Sequence, residues 1–523
     1  MMIFFIAVIT SISLFTLYQT FNLALFGDDW LAFFRYLQHL GPQSTSQWNH
    51  ITYFLTPYGA QDILMGLLQK IYGYQSTPYF IISYLLRIIA AFSLFPLVFY
   101  LTKSKLATFF AILFFSVTTT GLDTTNWVFN MPSYITVALF NLCLYFFISS
   151  REKKNLILLT ISGLLYYLAY VVTPIRMHGS LPLIVLLEIF LYLQTKNLKS
   201  LKSSLLRVGL FVFIFLVIRY TGQSQGPPQE ASERLLLGIT SMTKLLQNGD
   251  WGFLFNPLII FSSMFIPDFI LPVIGRNFIL TLIGITITIF VILKIKRHFK
   301  TTHLSTTLFL GISWSILSFF LAWWWIPTTI FPTVYRYLIP SAVGISILIA
   351  GFIALGKNKT QQKLLFTIFL FVIFLHIITT RTYINYLVNT RGQDISNKIW
   401  SSMPRIEGIG ESKEPLIFYF EGDGTNEAII HDIITFGLPP HMALIYNLRE
   451  EDGGIPIPMT NWQEVISAAT KGQTLPNYGY PIKPVSPERI YAFHLSGYDN
   501  LINITDSLRE KLLQIISQDI SNP

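Results

Sequence analysis

About eleven apolar stretches recur along this 523-residue chain, and they constrain its fold more than any other feature. They lie near residues 2–25, 78–101, 106–120, 132–149, 156–174, 180–195, 204–220, 277–295, 304–325, 337–356 and 364–383. A helix needs about 20 apolar residues to cross ~30 Å of hydrocarbon, so the pattern predicts a mainly α, polytopic membrane bundle of about 11 transmembrane helices. Composition agrees. The chain is 52% hydrophobic and 15% aromatic, with 12% charged residues and a mean hydropathy of +0.54. Soluble domains carry about 25% charged residues.

The net charge of +9 divides unevenly. Residues 1–383 hold 26 Lys+Arg against 10 Asp+Glu (+16), and residues 384–523 hold 10 against 17 (−7). The basic excess sits in short loops between apolar runs, which is a topology signal and excludes a nucleic-acid reading. Lys103/Lys105, Arg151/Lys153/Lys154, Lys196/Lys199/Lys202/Arg207, Lys294/Lys296/Arg297/Lys300 and Lys357/Lys359/Lys363 all fall on alternate loops. Those loops are expected to be cytoplasmic, with the amino terminus inside and the C-terminal region outside a plasma membrane. The first segment, lacking a basic leader, reads as an uncleaved anchor. The single cysteine, Cys143, excludes intrachain disulfides and Cys-based structural zinc sites. Residues 252–275 are apolar but contain Pro257, Pro267, Asp268 and Pro272, and read as re-entrant or interfacial helices.

Residues 1–383 thus form the expected transmembrane domain, with long external loops at 27–77 and 221–276. Residues 384–523 form an expected extracytoplasmic α/β domain. Within it Glu414–Phe420, Met442–Tyr446 and Arg489–His494 read as strands; Thr425–Thr435, Asn461–Thr470 and Asn500–Ser517 read as amphipathic helices. Glu421-Gly422-Asp423-Gly424 reads as a turn.

Chemistry concentrates in the first external loop. Asp28 and Asp29 adjoin at the exit of the first apolar segment, followed by Trp30, Arg35, His39, Trp48, His50, Tyr53, Tyr58 and Asp62. Adjacent carboxylates at a membrane interface repel one another and call for a cation or hydrogen-bond donors. Carboxylates and amides bind sugar hydroxyls, and aromatic faces cover sugar C–H faces, so Trp30, Arg35, Trp48, His50, Tyr58 and Asp62 are candidate substrate-binding residues.

An uncleaved first span followed at once by paired acids in a large external loop resembles the GT-C superfamily of integral-membrane glycosyltransferases, which includes oligosaccharyltransferases, protein mannosyltransferases and aminoarabinose transferases. The resemblance covers the architecture of residues 1–383, and its acidic motif is matched by Asp28-Asp29. The Trp-Trp-Asp motif of oligosaccharyltransferases is absent, since Trp323-Trp324-Trp325 is followed by Ile326, which argues against an asparagine-linked transferase. The resemblance implies an inverting transfer of sugar from a polyprenyl-phosphate donor to a lipid, glycan or protein acceptor of the cell envelope. Asp29 is then the expected base and Asp28 its neighbour, with those roles open to exchange. A lipid-phosphate leaving group needs cations. The external arginines are Arg35, Arg176, Arg219, Arg234, Arg276 and Arg336; Arg336 ranks first and Arg176, with His178, second. A divalent metal at Asp28/Asp29 with Asp62 or a histidine is compatible with the residues, though no spacing demands one. The competing readings are a lipid-linked-sugar or polysaccharide translocator and a non-enzymatic envelope scaffold.

Overall fold

The computed structural model describes residues 2–521 apart from 43, 45–46, 57, 196–197, 221–238, 241, 250, 268–270, 272–273, 300–301, 324–331, 357, 404–415, 425, 431–440, 443, 445–455 and 472–483. These residues divide into two compact units. One comprises Met1–Thr20, Asn49–Leu64 and Tyr79–Ile384; the other comprises Phe21–Trp48, Met65–Pro78 and Asn385–Pro523.

The first unit is a helical membrane bundle. Eight helices among the described residues are long and apolar enough to cross a membrane: Ile3–Asn22, Ser76–Thr102, Val128–Glu152, Pro174–Thr195, Leu201–Ile218, Arg276–Arg297, Arg336–Ala354 and Lys359–Arg391. Three shorter apolar helices, Lys105–Val117, Leu156–Val172 and His303–Phe319, account for the remaining apolar stretches. The helix Ile339–Ala354 is buried along nearly its whole length, whereas Arg276–Arg297 exposes Phe278, Leu282, Ile289 and Ile292, side chains that hydrocarbon would cover. Small residues let central helices meet backbone to backbone. A Cβ added at Gly344 would lie 2.3 Å from Ser315 N, and one at Gly311 would lie 2.8 Å from Leu348 N. Phe110, Phe114, Phe140, Tyr166 and Trp314 fill the interior.

Three ionisable groups within the bundle, Glu188, Arg87 and His376, are satisfied by protein. Glu188 accepts from Arg151 and from Ser204 Oγ through one oxygen, and from Arg207 Nε at 3.1 Å through the other. Arg87 caps the end of helix Lys105–Val117, donating to the carbonyls of Phe115, Ser116 and Thr118, a carbonyl-rich terminus that favours a cation. His376 Nδ1 accepts the Thr119 N–H at 3.2 Å, so its Nε2 carries the proton and donates to the Met264 carbonyl at 3.1 Å. Cys143 is fully buried, its thiol 3.4 Å from Ser162 Oγ. Residues 252–275 hold the eight-residue helix Asn256–Ser263, too short to span a bilayer.

The second unit is built on a four-stranded mixed sheet. Strands β1 (Leu416–Gly422), β2 (Pro456–Met459), β3 (Ile490–Ser496) and β4 (Asn500–Asn503) lie in the order β2-β1-β3-β4. β1 pairs in parallel with β2 and β3, and β3 pairs antiparallel with β4. Alternation along β1 and β3 divides the core. Phe418, Phe420, Phe493 and Leu495 face Ile399 and Trp400 of helix Gln393–Ser402, with Phe34 of helix Asp28–Leu40 against the same cluster. Ile417, Tyr419, Ile490 and Ala492 face Val465 and Leu512 of helices Trp462–Thr470 and Thr505–Ser521.

Two expectations are corrected. Met442 is helical where a strand was expected at Met442–Tyr446, residues 443 and 445–446 of which lie outside the described set. The helix expected from Asn500 begins at Thr505, because Gly497, with φ +65°, turns the chain back and lets residues 500–503 pair with β3. The second parallel strand is instead Pro456–Met459. Of the helix expected at Thr425–Thr435, Glu427–Ile429 is helical, and 425 and 431–435 lie outside the described residues. Of the turn expected at Glu421–Gly424, Glu421 and Gly422 instead end β1, and the chain leaves the strand at 423 with a turn at Gly424.

Candidate functional site

The acid pair belongs to the second unit. Gly27, at φ 55° and ψ −123°, adopts a conformation closed to most side chains and turns the chain so that Asp28 and Asp29 open helix Asp28–Leu40. A helix amino terminus suits carboxylates, since its unpaired N–H groups carry partial positive charge. Asp29 is wholly buried and its Oδ2 accepts the Phe26 N–H at 3.0 Å; Asp28 is half-buried. The segment leading to the pair is pinned. Ala24 N donates to the Arg391 carbonyl at 3.0 Å, and Gln393 Nε2 donates to the carbonyls of Phe21 and Leu23. The Arg391 guanidinium lies 4.0 Å above the Phe26 ring.

Trp30 packs inward. Its indole stacks on the His441 imidazole at 3.7 Å, and its Nε1 donates to the Leu25 carbonyl at 3.2 Å. Tyr74 and Phe33 complete the cluster, and the Trp400 ring lies 3.9 Å from that of His441 at a tilt of 59°. Trp30 therefore anchors the acid-bearing turn, where the sequence suggested an open sugar-stacking face. Burial in this cluster pushes the Tyr74 hydroxyl pKa upward and lowers that of His441 to about 3. Arg35 is half-buried on the same helix.

Of the remaining loop candidates, Trp48 and His50 are exposed, His50 opening a short helix capped by Asn49. In the first unit Asp62 is fully buried and accepts the Tyr53 hydroxyl at 2.7 Å, while the Tyr58 ring lies 6.1 Å from Phe129.

Arg176 and Arg336, both in the first unit, come together around one ring. The Arg176 guanidinium lies 4.2 Å from the Tyr337 ring centre and that of Arg336 lies 5.0 Å from it. Arg336 also covers Trp127 at 4.0 Å. Two glycines make the convergence sterically feasible. Gly121, at φ +70°, donates its N–H to Thr333 O at 2.7 Å, and any Cβ there would strike Ile339. Gly179, at φ +80°, would place a Cβ 2.3 Å from Leu317 O. His178 is half-buried in the adjoining turn.

Arg176 is 2% exposed. Its Nε donates to Ser133 Oγ at 3.1 Å and its Nη2 to Asn130 Oδ1 at 2.9 Å, which fixes the Asn130 amide so that Nδ2 faces away. Among the described residues Arg176 Nη1 and Asn130 Nδ2, both buried, have no acceptor within hydrogen-bond distance, although Arg176 also interacts with the Tyr337 side chain. Among the described residues neither Arg176 nor Arg336 forms an ion pair with a carboxylate. A buried cation left with a spare donor is costly, commonly more than ~1–3 kcal/mol, unless an anion completes it. The geometry suits an acceptor-rich anion such as a phosphate.

Sequence reasoning missed Asn130, Ser133, Tyr337, Arg391, Gln393 and His441. Each acts through partners far away in sequence, and no local motif marks them. No group of three or more His, Cys, Asp or Glu side chains among the described residues is placed to hold a metal ion.

Fold and composition define a polytopic helical membrane protein carrying a small α/β domain. No family model matches the sequence, and no curated protein does. Among solved structures the chain is similar to the Archaeoglobus fulgidus oligosaccharyltransferase in complex with Zn and sulfate, at 12% identity over 94% of this chain and 67% of that one, TM-score 0.46. It is similar to ArnT from Cupriavidus metallidurans in the apo state, at 14% identity over 94% and 92%, TM-score 0.45. It is also similar to archaeal oligosaccharyltransferase AglB from Archaeoglobus fulgidus in complex with an inhibitory peptide and a dolichol-phosphate, at 12% identity over 94% and 69%, TM-score 0.45.

Proposed function

We propose that this chain is a membrane glycosyltransferase that moves a sugar from a polyprenyl-phosphate donor to an envelope acceptor on the extracytoplasmic face of the plasma membrane. The observation that carries the reading is the pair Arg176 and Arg336 about Tyr337, with buried donors that lack an acceptor and no carboxylate partner among the described residues. Such a pair holds the donor phosphate and stabilises the charge that develops on it as the bond to the sugar breaks.

In this reading an acceptor O–H or N–H attacks the anomeric carbon. The new bond forms as the carbon–oxygen bond to phosphate breaks, the electron pair leaves with the polyprenyl phosphate, and the configuration inverts. Asp29, fixed by the Phe26 N–H, takes the acceptor proton, and Asp28 orients the acceptor. The neutralised bundle interior favours this over translocation, because Glu188, Arg87 and His376 are each satisfied by protein rather than lining a polar path.

The test is transfer from radiolabelled polyprenyl-phosphate sugars to an envelope extract by purified protein, with Asp28→Asn, Asp29→Asn and Arg336→Ala variants alongside. Transfer that is absent in the parent, or unaltered in all three variants, overturns the reading.

A further inference from the structure

The second unit contains a cleft of about 870 Å³ that the proposed chemistry leaves unused. Asn22, Tyr386, Asn389, Thr390, Asp394 and Tyr498 line it. Its origin is local. The 33-residue helix Lys359–Arg391 outlasts the ~20 residues a bilayer requires and turns polar in its last two turns. Gly392 then breaks the helix with extended backbone (φ −66°, ψ 159°), and a new helix starts at Gln393, bringing Asp394 close to Tyr386 and Asn389 in sequence across the bend. Opposite these, Gly497 at φ +65° forms the β3–β4 turn that presents Tyr498, and Lys398 of the new helix ion-pairs with Asp499 beside it.

The lining combines two exposed aromatic rings with hydroxyl-binding groups. Tyr386 is 52% exposed and Tyr498 60%. Three amides (Asn22, Asn389 and Gln393), a hydroxyl and one carboxylate accompany them, and none of the described lining residues is a cation. Planar amides and carboxylates bind adjacent hydroxyls, and exposed aromatic faces cover the C–H face of a pyranose. The volume lies within the ~300–1,000 Å³ of small-molecule sites. A lone carboxylate without cations repels phosphates and uronic acids.

We infer that this cleft is a saccharide-binding site for uncharged sugars, formed by Tyr386, Tyr498, Asp394 and the amides of Asn22 and Asn389. It does not depend on the chain being a transferase. The ligand is either a soluble glycan or the headgroup of a glycolipid, which share this chemistry.

The experiment uses the full chain in lipid nanodiscs, because maltoside detergents would themselves compete. Saturation-transfer NMR is recorded with maltotriose, cellotriose, mannotriose and chitotriose, and with trigalacturonic acid as the acidic counterpart. At least one neutral trisaccharide is expected to show transfer to its ring C–H protons at millimolar concentration. Tyr498→Ala and Asp394→Asn should each weaken that signal tenfold or more while size-exclusion and circular dichroism profiles stay unchanged. Nanodiscs containing diglucosyl-diacylglycerol separate the sources: suppression of the signal identifies a glycolipid headgroup, persistence a soluble glycan. Absence of transfer from every neutral trisaccharide, preference for the acidic one, or a signal unchanged in both variants overturns the site.

Discussion

The imidazole of His441 lies flat on the indole of Trp30, ring centres 3.7 Å apart and planes within 7°. Trp30 follows Asp29 directly, so a residue of the α/β domain fixes the helical turn that carries the acid pair. His441 also contacts the tilted Trp400 ring at 3.9 Å. Removing the imidazole by His441→Ala should loosen this turn and lower turnover several-fold with little change in donor KM, while His441→Phe, which keeps a flat ring, should restore much of it. Transfer kinetics at varied donor concentration check both.

The same stack makes stability depend on pH. Unfolded, the imidazole titrates near 6.5; folded, burial lowers it to about 3. Between those values the unfolded chain binds a proton that the native chain refuses, so stability falls as pH drops from about 6.5 towards 3. Thermal unfolding in nanodiscs at pH 7.5 and 5 should show this loss in the parent, and a smaller one in His441→Phe.

Arg336→Ala should raise donor KM by roughly 10- to 100-fold, the worth of ~1.5–3 kcal/mol of charge-assisted hydrogen bonding. Its unfolding temperature should hardly move, because its guanidinium makes ring contacts and no hydrogen bond or ion pair with described residues. Arg176→Ala should also lower stability, since it frees Asn130 and Ser133. Initial-rate kinetics paired with thermal shifts separate the two.

Replacing the base should cost turnover by a factor of roughly 10² to 10⁴. We expect this of Asp29→Asn, with the labelled donor still bound. An unchanged rate in both Asp29→Asn and Asp28→Asn removes the acid pair from the mechanism.

Glu188→Gln should destabilise the bundle by about 3–5 kcal/mol, because Arg151 and Arg207 lose the charge between them. A lowered unfolding temperature and reduced yield in membranes would register it. Normal thermal stability would show that water or lipid compensates the arginines.

The membrane helices were legible because their length is set by the bilayer rather than by neighbours. Sheet elements were harder to read. Pro456-Ile457-Pro458-Met459 resembles a loop, yet it forms edge strand β2, where two prolines at alternate positions put their missing N–H groups on the outer side. Asn500–Asn503 carries a strand pattern too short to distinguish from the helix that follows. The Asp28-Asp29 pair stood out because acids are rare beside apolar runs. Arg391 and His441 did not, since their roles arise from contacts with Ala24, Phe26 and Trp30, more than 360 residues away in sequence.

The burial of Cys143 makes the native chain silent toward water-soluble maleimides, so any introduced cysteine reports by itself. Orientation can therefore be mapped on the unmodified background. Lys153→Cys and Lys296→Cys should escape an impermeant reagent in intact cells and react once the membrane is opened, whereas Ser402→Cys should react at once.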